Sequence, residues 1–370
     1  MTARNILFEP FEHAKISLPN RVVMAPMTRA SAPGGVVNRK MIDYYCRRVE
    51  GGVGLIITEG ACIDHAAATA QPDVPFIGRA DTADGWRELV AAVHARGGKI
   101  AAQLWHVGAM RKPGIEPGGD TPGYSPSGLV KGGGKKVCHA MTQSDIETVI
   151  DAYARAAAQA REVGFDGIEL HAAHGYLIDQ FFWAGTNLRD DQYGGSLENR
   201  TRFGADVTRA VRSAVGEQFL VSMRISQWKQ QDFTARLCQN PNELGVFLQP
   251  LVEAGVDIFH CSTRRFWEPE FEGSELNLAG WVKKLSGRPT ISVGSIGLDN
   301  DFIPAASGHG DAHAKAIGVE RLIECMNRGD FDLAAVGRAL IANPDWSAKM
   351  RDSRIDELVA FDREMLAQLH

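Results

Sequence analysis

The chain has 370 residues, 44% of them hydrophobic and 23% charged, and a formal net charge of −5. That length can bury a large core, and without a long basic run there is no electrostatic footprint for nucleic acid or an anionic membrane surface. The N-terminal MTARNILFEPFEHAKI lacks the apolar centre of a signal peptide, and no stretch approaches the roughly 18 apolar residues of a membrane span. The expectation is a cytoplasmic enzyme, monomer or homodimer, whose partners are small molecules.

In chain order, LFEPFEHAKISLPN from Leu7 reads as a hairpin able to plug the bottom of a barrel. Eight β-rich runs follow: RVVMAPM from Arg21, GLIITEG from Gly54, KIAAQLWH from Lys99, GIELHAA from Gly167, FLVSMRIS from Phe219, DIFHCST from Asp257, TISVGSI from Thr290 and LAAVGRALI from Leu333. Helical patterns or polar loops separate them, which signals a parallel sheet covered by helices. Eight such units favour an α/β fold of the closed (β/α)₈ type, the TIM barrel, as one domain over residues 1–370.

Helix starts are legible between the strands. Ser144-Asp145-Ile146-Glu147 matches a capping box, and Asn240-Pro241 opens a helix bearing Leu244, Phe247, Leu248 and Leu251. The Gly- and Pro-rich stretch from Ala109 to Cys138 is too long for an ordinary connection and reads as a loop or hairpin over the barrel top. Cys46, Cys62, Cys138, Cys238, Cys261 and Cys325 are scattered without metal or cluster spacing, and read as reduced, mostly structural thiols.

A (β/α)₈ barrel builds its active site at the C-terminal ends of its strands. The first strand offers Thr28, the second Gly60 and Ala61, the third Gln103, the fourth His171 and the fifth Arg224. The seventh ends in Val293-Gly294-Ser295 and the eighth in Val336-Gly337-Arg338, where barrels commonly hold phosphate on backbone N–H groups. Phosphate at one side and mixed polar groups at the centre fit a phosphorylated, flat heterocycle such as FMN. No G-x-G-x-x-G follows an early strand, which disfavours a Rossmann-held dinucleotide. In GIELHAAHGYLIDQFF, from Gly167 to Phe182, His171, His174 and Tyr176 gather where two imidazoles can bind a carbonyl oxygen and a phenol can supply a proton.

Taken together and in order, MAPMTRA from Met24, ITEG from Ile57, QLWHVG from Gln103, HAAHGYLIDQFF from His171, NLRDDQYGGSLENRTRF from Asn187 and GRALIANPDW from Gly337 resemble the Old Yellow Enzyme family of FMN-dependent ene-reductases. The resemblance implies that NADPH or NADH reduces the flavin, which then reduces the C=C bond of an electrophilic alkene such as an enone, by ping-pong turnover. It implies that Thr28, with Pro26 and Met27 beside it, contacts the flavin, as do Gly60, Ala61, Gln103 and Arg224. Val293, Gly294, Ser295, Gly337 and Arg338 would hold the phosphate. His171 and His174 would bind the substrate carbonyl, Tyr176 would donate the proton, and Trp105 would line the substrate side of the flavin.

The chain departs from the family pattern in RISQWKQQDFTARL after the fifth strand and in RRFWEPEFEGSELNLAGW from Arg264, which puts Trp228, Phe266 and Trp267 forward as selectivity residues. Two other readings stand beside this one. A metal-dependent barrel hydrolase or lyase could use His171 and His174 as ligands, although a third ligand is not evident at other strand ends. A non-catalytic flavoprotein would bind FMN without needing Tyr176 or the histidine pair.

Overall fold

Every one of the eight β-rich runs forms a strand in the computed structural model, which describes residues 5–299, 313–315 and 317–370. They are β1 (Val22–Met24), β2 (Leu55–Ile63), β3 (Ile100–Trp105), β4 (Gly167–His174), β5 (Leu220–Lys229), β6 (Ile258–Ser262), β7 (Thr290–Val293) and β8 (Leu333–Val336). Neighbours pair in parallel, and β8 also pairs with β1, so the barrel closes and its strands leave no open edge. The chain is therefore a (β/α)₈ barrel, with helices packed around the strands.

Strand parity divides the core into two sets. Val23, Leu55, Ile57, Ala101, Leu220, Ile258, Ile291 and Leu333 share one cluster, while their chain neighbours Val22, Ile56, Ile100, Val221 and Phe259 belong to a second, larger one. Alternate residues of a strand face opposite sides of the sheet, so the first set fills the barrel and the second meets the helices.

Into the first cluster the N-terminal hairpin inserts Phe11, Ile16 and Leu18 from its antiparallel strands Phe11–His13 and Ile16–Leu18. Lys15 Nζ at its tip lies 2.7 Å from Asp257 Oδ1, whose other oxygen takes Arg212 at 2.7 Å. The hairpin plugs the barrel floor as expected, and an ion pair pins its turn.

The helix Pro241–Glu253 begins as read from the sequence: Asn240 accepts the Glu243 N–H and Pro241 occupies the first turn, where its missing N–H costs nothing. The helix Gln143–Glu162 starts earlier than expected. Thr142, not Ser144, is its N-cap, and Asp145 returns a carboxylate to the Thr142 N–H at 2.7 Å. Thr142 holds the extended backbone that a cap requires, whereas Ser144 already lies inside the first turn.

The stretch after β3 is a loop, with one two-residue parallel pairing of Tyr124–Ser125 to His139–Ala140. The buried Arg111 gathers it by donating to the carbonyls of Thr69, Ile115, Gly119 and Thr121. Several strands also run past the residues read as their ends. β2 continues through Gly60, β3 reaches Trp105, β4 reaches His174 and β5 reaches Lys229, whereas β1 stops at Met24, before Thr28. Polar side chains that look terminal in sequence are inward-facing members of strands that go on.

Removing the Phe11 ring leaves a cavity beneath the barrel that the closed strands cannot collapse into. Phe11→Ala is expected to lower stability by about 3 kcal/mol in urea unfolding, without changing the far-ultraviolet circular dichroism of the folded protein.

Candidate active site

Above the apolar floor, the inward positions of the strands turn polar. Two residues along from Ala101 stands Gln103, two along from Gly167 stands Glu169, and two along from Ile258 stands His260. Glu169 is fully buried; its Oε1 accepts Gln103 Nε2 at 2.8 Å, and its Oε2 lies 2.8 Å from His260 Nδ1. Burial pushes this carboxyl up, but His260, Arg224 and the Gln103 amide more than offset it and hold it below the usual carboxylate range. Glu169 therefore supplies a negative charge beneath the site and fixes which way the Gln103 amide faces.

One step higher, β4 and β5 set His171 directly beside Arg224, with His260 of β6 on the other side of Arg224. The Arg224 guanidinium donates to Ser262 Oγ at 3.2 Å, and Ser262 Oγ lies 2.7 Å from His174 Nε2. Ser262 thus ties the Arg224 guanidinium to the His174 ring.

The rings converge. His171 lies 5.2 Å from His174 and 5.0 Å from Tyr176, both edge to face, and Trp105 lies 5.0 Å from Tyr176. Burial, reinforced by the Arg224 charge, pushes both histidines well below the ordinary imidazole value, so they act as neutral donors. Burial also raises the Tyr176 phenol, against hydrogen bonding from Gln230 and the charge of Arg224. The turn between the rings needs left-handed backbone at both His174 (φ 64°) and Gly175 (φ 79°). At Gly175 a Cβ would come within 2.0 Å of Gln231 Oε1, so a larger residue there would add left-handed strain and displace that amide from the turn.

Thr28 is exposed at the mouth, with Pro26 and Met27 half-buried before it. Met27 Sδ stands 3.6 Å from where a Gly337 side chain would begin, and β7 and β8 are in register at Val293 and Ala335. Thr28, Gly294, Ser295, Gly337 and Arg338 accordingly follow three adjoining strands. Gly294 also allows close packing, since a Cβ there would press on the Thr263 carbonyl at 2.7 Å. Gly60 and Ala61 lie in β2 opposite Gln103 and Leu104, and the missing side chain of Gly60 makes room for the Trp105 ring.

Trp267 is not brought to the histidines. It packs edge to face on Phe266 and lines a separate cavity of about 300 Å³ with Asn277 and Arg321. Trp228 takes the place beside the site instead, stacking on His174 at 4.5 Å.

Comparison with known proteins agrees with this geometry. Residues 6–316 match the NADH:flavin oxidoreductase / NADH oxidase family. The chain belongs to that family. It is 34% identical to 12-oxophytodienoate reductase 7 of Oryza sativa subsp. japonica, over 93% of this chain and 87% of the relative. Among solved structures, morphinone reductase in complex with tetrahydroNAD superposes with a TM-score of 0.80 at 30% identity, covering 97% of this chain and 93% of that one. The old yellow enzyme homologue from Zymomonas mobilis gives 0.79 at 28% identity, covering 97% and 96%. The expected resemblance to the Old Yellow Enzymes holds, and the protein is a flavin oxidoreductase whose cofactor is FMN and whose reductant is NADH or NADPH.

The family's flavin fits the residues present. Arg224 Nε is a buried polar atom that no protein group takes up, the kind of demand that a bound polar ring answers. Gln103, held by Glu169 through one amide hydrogen, retains both a donor and an acceptor. Among the described residues no group of three or more His, Cys, Asp or Glu is arranged to hold a metal ion, and no helix is long and apolar enough to cross a membrane. All six cysteines are free thiols.

Four residues of this site were not singled out from sequence: Glu169, His260, Ser262 and Glu59. The first three carry a readable signal, polar residues at the inward parity of otherwise apolar strands. Glu59 holds the Thr28 turn, its Oε2 accepting the N–H groups of Arg29 and Ala30 at 3.0 Å each. Burial, opposed by those two hydrogen bonds, raises its pKa from 4.5 to about 7. The folded protein thus binds a proton that the unfolded chain releases, and this contribution to stability, complete below pH 4.5, is lost as pH rises to about 7. Glu59→Gln keeps an acceptor for both N–H groups and is expected to flatten the fall in stability over that window, as read by urea unfolding at a series of pH values.

Proposed function

We propose that the protein reduces the C=C bond of α,β-unsaturated carbonyl compounds and related electrophilic alkenes in ping-pong fashion, with Tyr176 as proton donor. The observation that carries this reading is the convergence of two neutral imidazoles and a phenol around one space at the ends of β4 and β5. When bound, FMN supplies the two-electron chemistry, taking hydride from NADPH or NADH and passing it to the β-carbon of the alkene. Gln103 and Arg224 would hold its ring, with Pro26, Met27, Thr28, Gly60 and Ala61 beside it. Val293, Gly294, Ser295, Gly337 and Arg338 would hold its phosphate.

The protein's own part is electrostatic and acid–base. As the β-carbon is reduced, negative charge grows on the carbonyl oxygen, and His171 with His174 donates to it. Each preorganised donor of this kind contributes about 3 kcal/mol by the precedent of oxyanion holes. The α-carbon then takes the Tyr176 proton. Because the phenol is raised by burial, it stays protonated at neutral pH and remains able to give its proton to an enolate. Nicotinamide and alkene would occupy the same space in turn. Trp105, edge-on to Tyr176, would form one wall of that space, with Trp228 against His174 as the other.

Anaerobic titration of the holoenzyme tests this directly. The flavin absorbance is expected to bleach with NADPH or NADH and to return with 2-cyclohexenone; failure of the enone to restore colour rules out the ene-reductase reading. Tyr176→Phe is expected to bleach normally but to slow reoxidation by the enone about 100-fold or more. Replacing both His171 and His174 by alanine is expected to abolish the charge-transfer band formed with phenols, which mimic the enolate; a retained band would sink the carbonyl-binding role.

A further inference from the structure

The distinctive segment after Arg224 extends β5 and lies along the turn that carries the proton donor. Four consecutive residues of it, Trp228 to Gln231, touch residues 174–179. Trp228 stacks on the His174 ring at 4.5 Å and donates from Nε1 to the Ser262 carbonyl at 3.2 Å. Lys229 Nζ meets Asp179 Oδ1 at 2.5 Å, with both side chains fully buried, and Asp179 Oδ2 accepts the Gly175 N–H at 2.7 Å. The Gln230 N–H donates to the His174 carbonyl at 3.2 Å, and its side-chain Nε2 donates to the Tyr176 hydroxyl at 3.0 Å. Gln231 Nε2 closes the turn by donating to the Gly175 carbonyl at 2.9 Å.

Within this cradle the Gln230 contact has a chemical consequence. A phenol oxygen that accepts an amide N–H keeps its own hydrogen on another side, whereas a partner that accepts would draw that hydrogen away from the substrate. We infer that Gln230 is a positioning residue for proton transfer: by donating into the Tyr176 oxygen it leaves the O–H free to point at the alkene and stabilises the phenolate that the transfer leaves behind. In that step the Tyr176 O–H bond breaks and the proton forms a C–H bond at the α-carbon of the enolate. The O–H electron pair stays on the phenolate oxygen, where the Gln230 N–H already donates, and solvent later restores the proton.

The other titratable groups around the phenol are His171 on β4, Arg224 on β5 and Cys62 on β2, of which Arg224 favours the phenolate and Cys62 opposes it. The Gln230 hydrogen bond acts in the same direction as Arg224, against the rise that burial imposes.

The inference rests on Tyr176 being the proton donor, and the test separates the two. Reoxidation of the NADPH-reduced holoenzyme is followed by stopped flow with 2-cyclohexenone, which needs a proton at carbon, and with a quinone, which is protonated on oxygen. The proteins are wild type, Gln230→Leu, Gln230→Glu, Tyr176→Phe and the Gln230→Leu/Tyr176→Phe double variant, each first shown to retain flavin. Gln230→Leu is expected to slow the enone reaction about tenfold or more while leaving the quinone reaction unchanged, and to add nothing to Tyr176→Phe.

Gln230→Glu, nearly isosteric but without a donor, is expected to slow the enone reaction at least as much. In both Gln230 variants the tyrosinate absorbance attributable to Tyr176 should appear at higher pH by about one unit. Equal slowing with enone and quinone, full additivity with Tyr176→Phe, or a wild-type rate in Gln230→Glu would overturn the positioning role. An unchanged enone rate in Tyr176→Phe would overturn the proton-donor reading and this inference with it.

Discussion

The site depends on one buried charge, the Glu169 carboxylate in the middle of the barrel. Arg224 stands among buried side chains where a cation without compensation would cost several kcal/mol. Glu169, two residues below His171 on the same face of β4, supplies the opposing charge without contacting the mouth. It also orients Gln103 on β3 and takes His260 on β6, so one side chain of β4 ties strands on both sides of it. The polar layer above it can then present donors upward, because its own lower contacts are met.

The second dependence runs from β5 to the turn after β4. That turn holds two successive left-handed residues, one of them not a glycine, which is a strained arrangement for an unsupported loop. Lys229 and Asp179 form a fully buried ion pair whose second carboxylate oxygen binds the backbone inside the turn. Such a pair contributes little net stability compared with apolar residues, and its use here is to hold one geometry. His174, Tyr176 and their supports thus act as one assembly spanning β4, β5 and β6.

The fold was largely legible in the chain because a closed barrel repeats one signal: an apolar run, a polar connection and a helix. Where the reading slipped, local signals competed. Ser144 to Glu147 satisfies a capping pattern, yet Thr142 with Asp145 does so two residues earlier and wins because its backbone is still extended. Gln103, His171 and Arg224 look like strand ends, but in a barrel interior polar residues continue inside the strand. Glu169, His260 and Ser262 follow the same parity, but along one strand a polar residue in an apolar run reads as an interruption rather than as part of a layer.

By itself the sequence determined the order of elements, the hairpin at the floor, the family motifs and the clustering of His171, His174 and Tyr176, since all of these rest on spacing along one strand and its turn. Only the tertiary structure decided which residues from distant runs complete the site. Trp228 and Trp267 look alike as aromatics in unusual loops, yet the extension of β5 carries the first onto His174 while the second packs on Phe266 along another cavity. Glu59 reaches the Thr28 turn, Ser262 reaches His174, and Gln230 reaches Tyr176 across gaps of 30, 88 and 54 residues. Those contacts follow from barrel closure and strand register, which bring separate strands side by side and which no local pattern encodes.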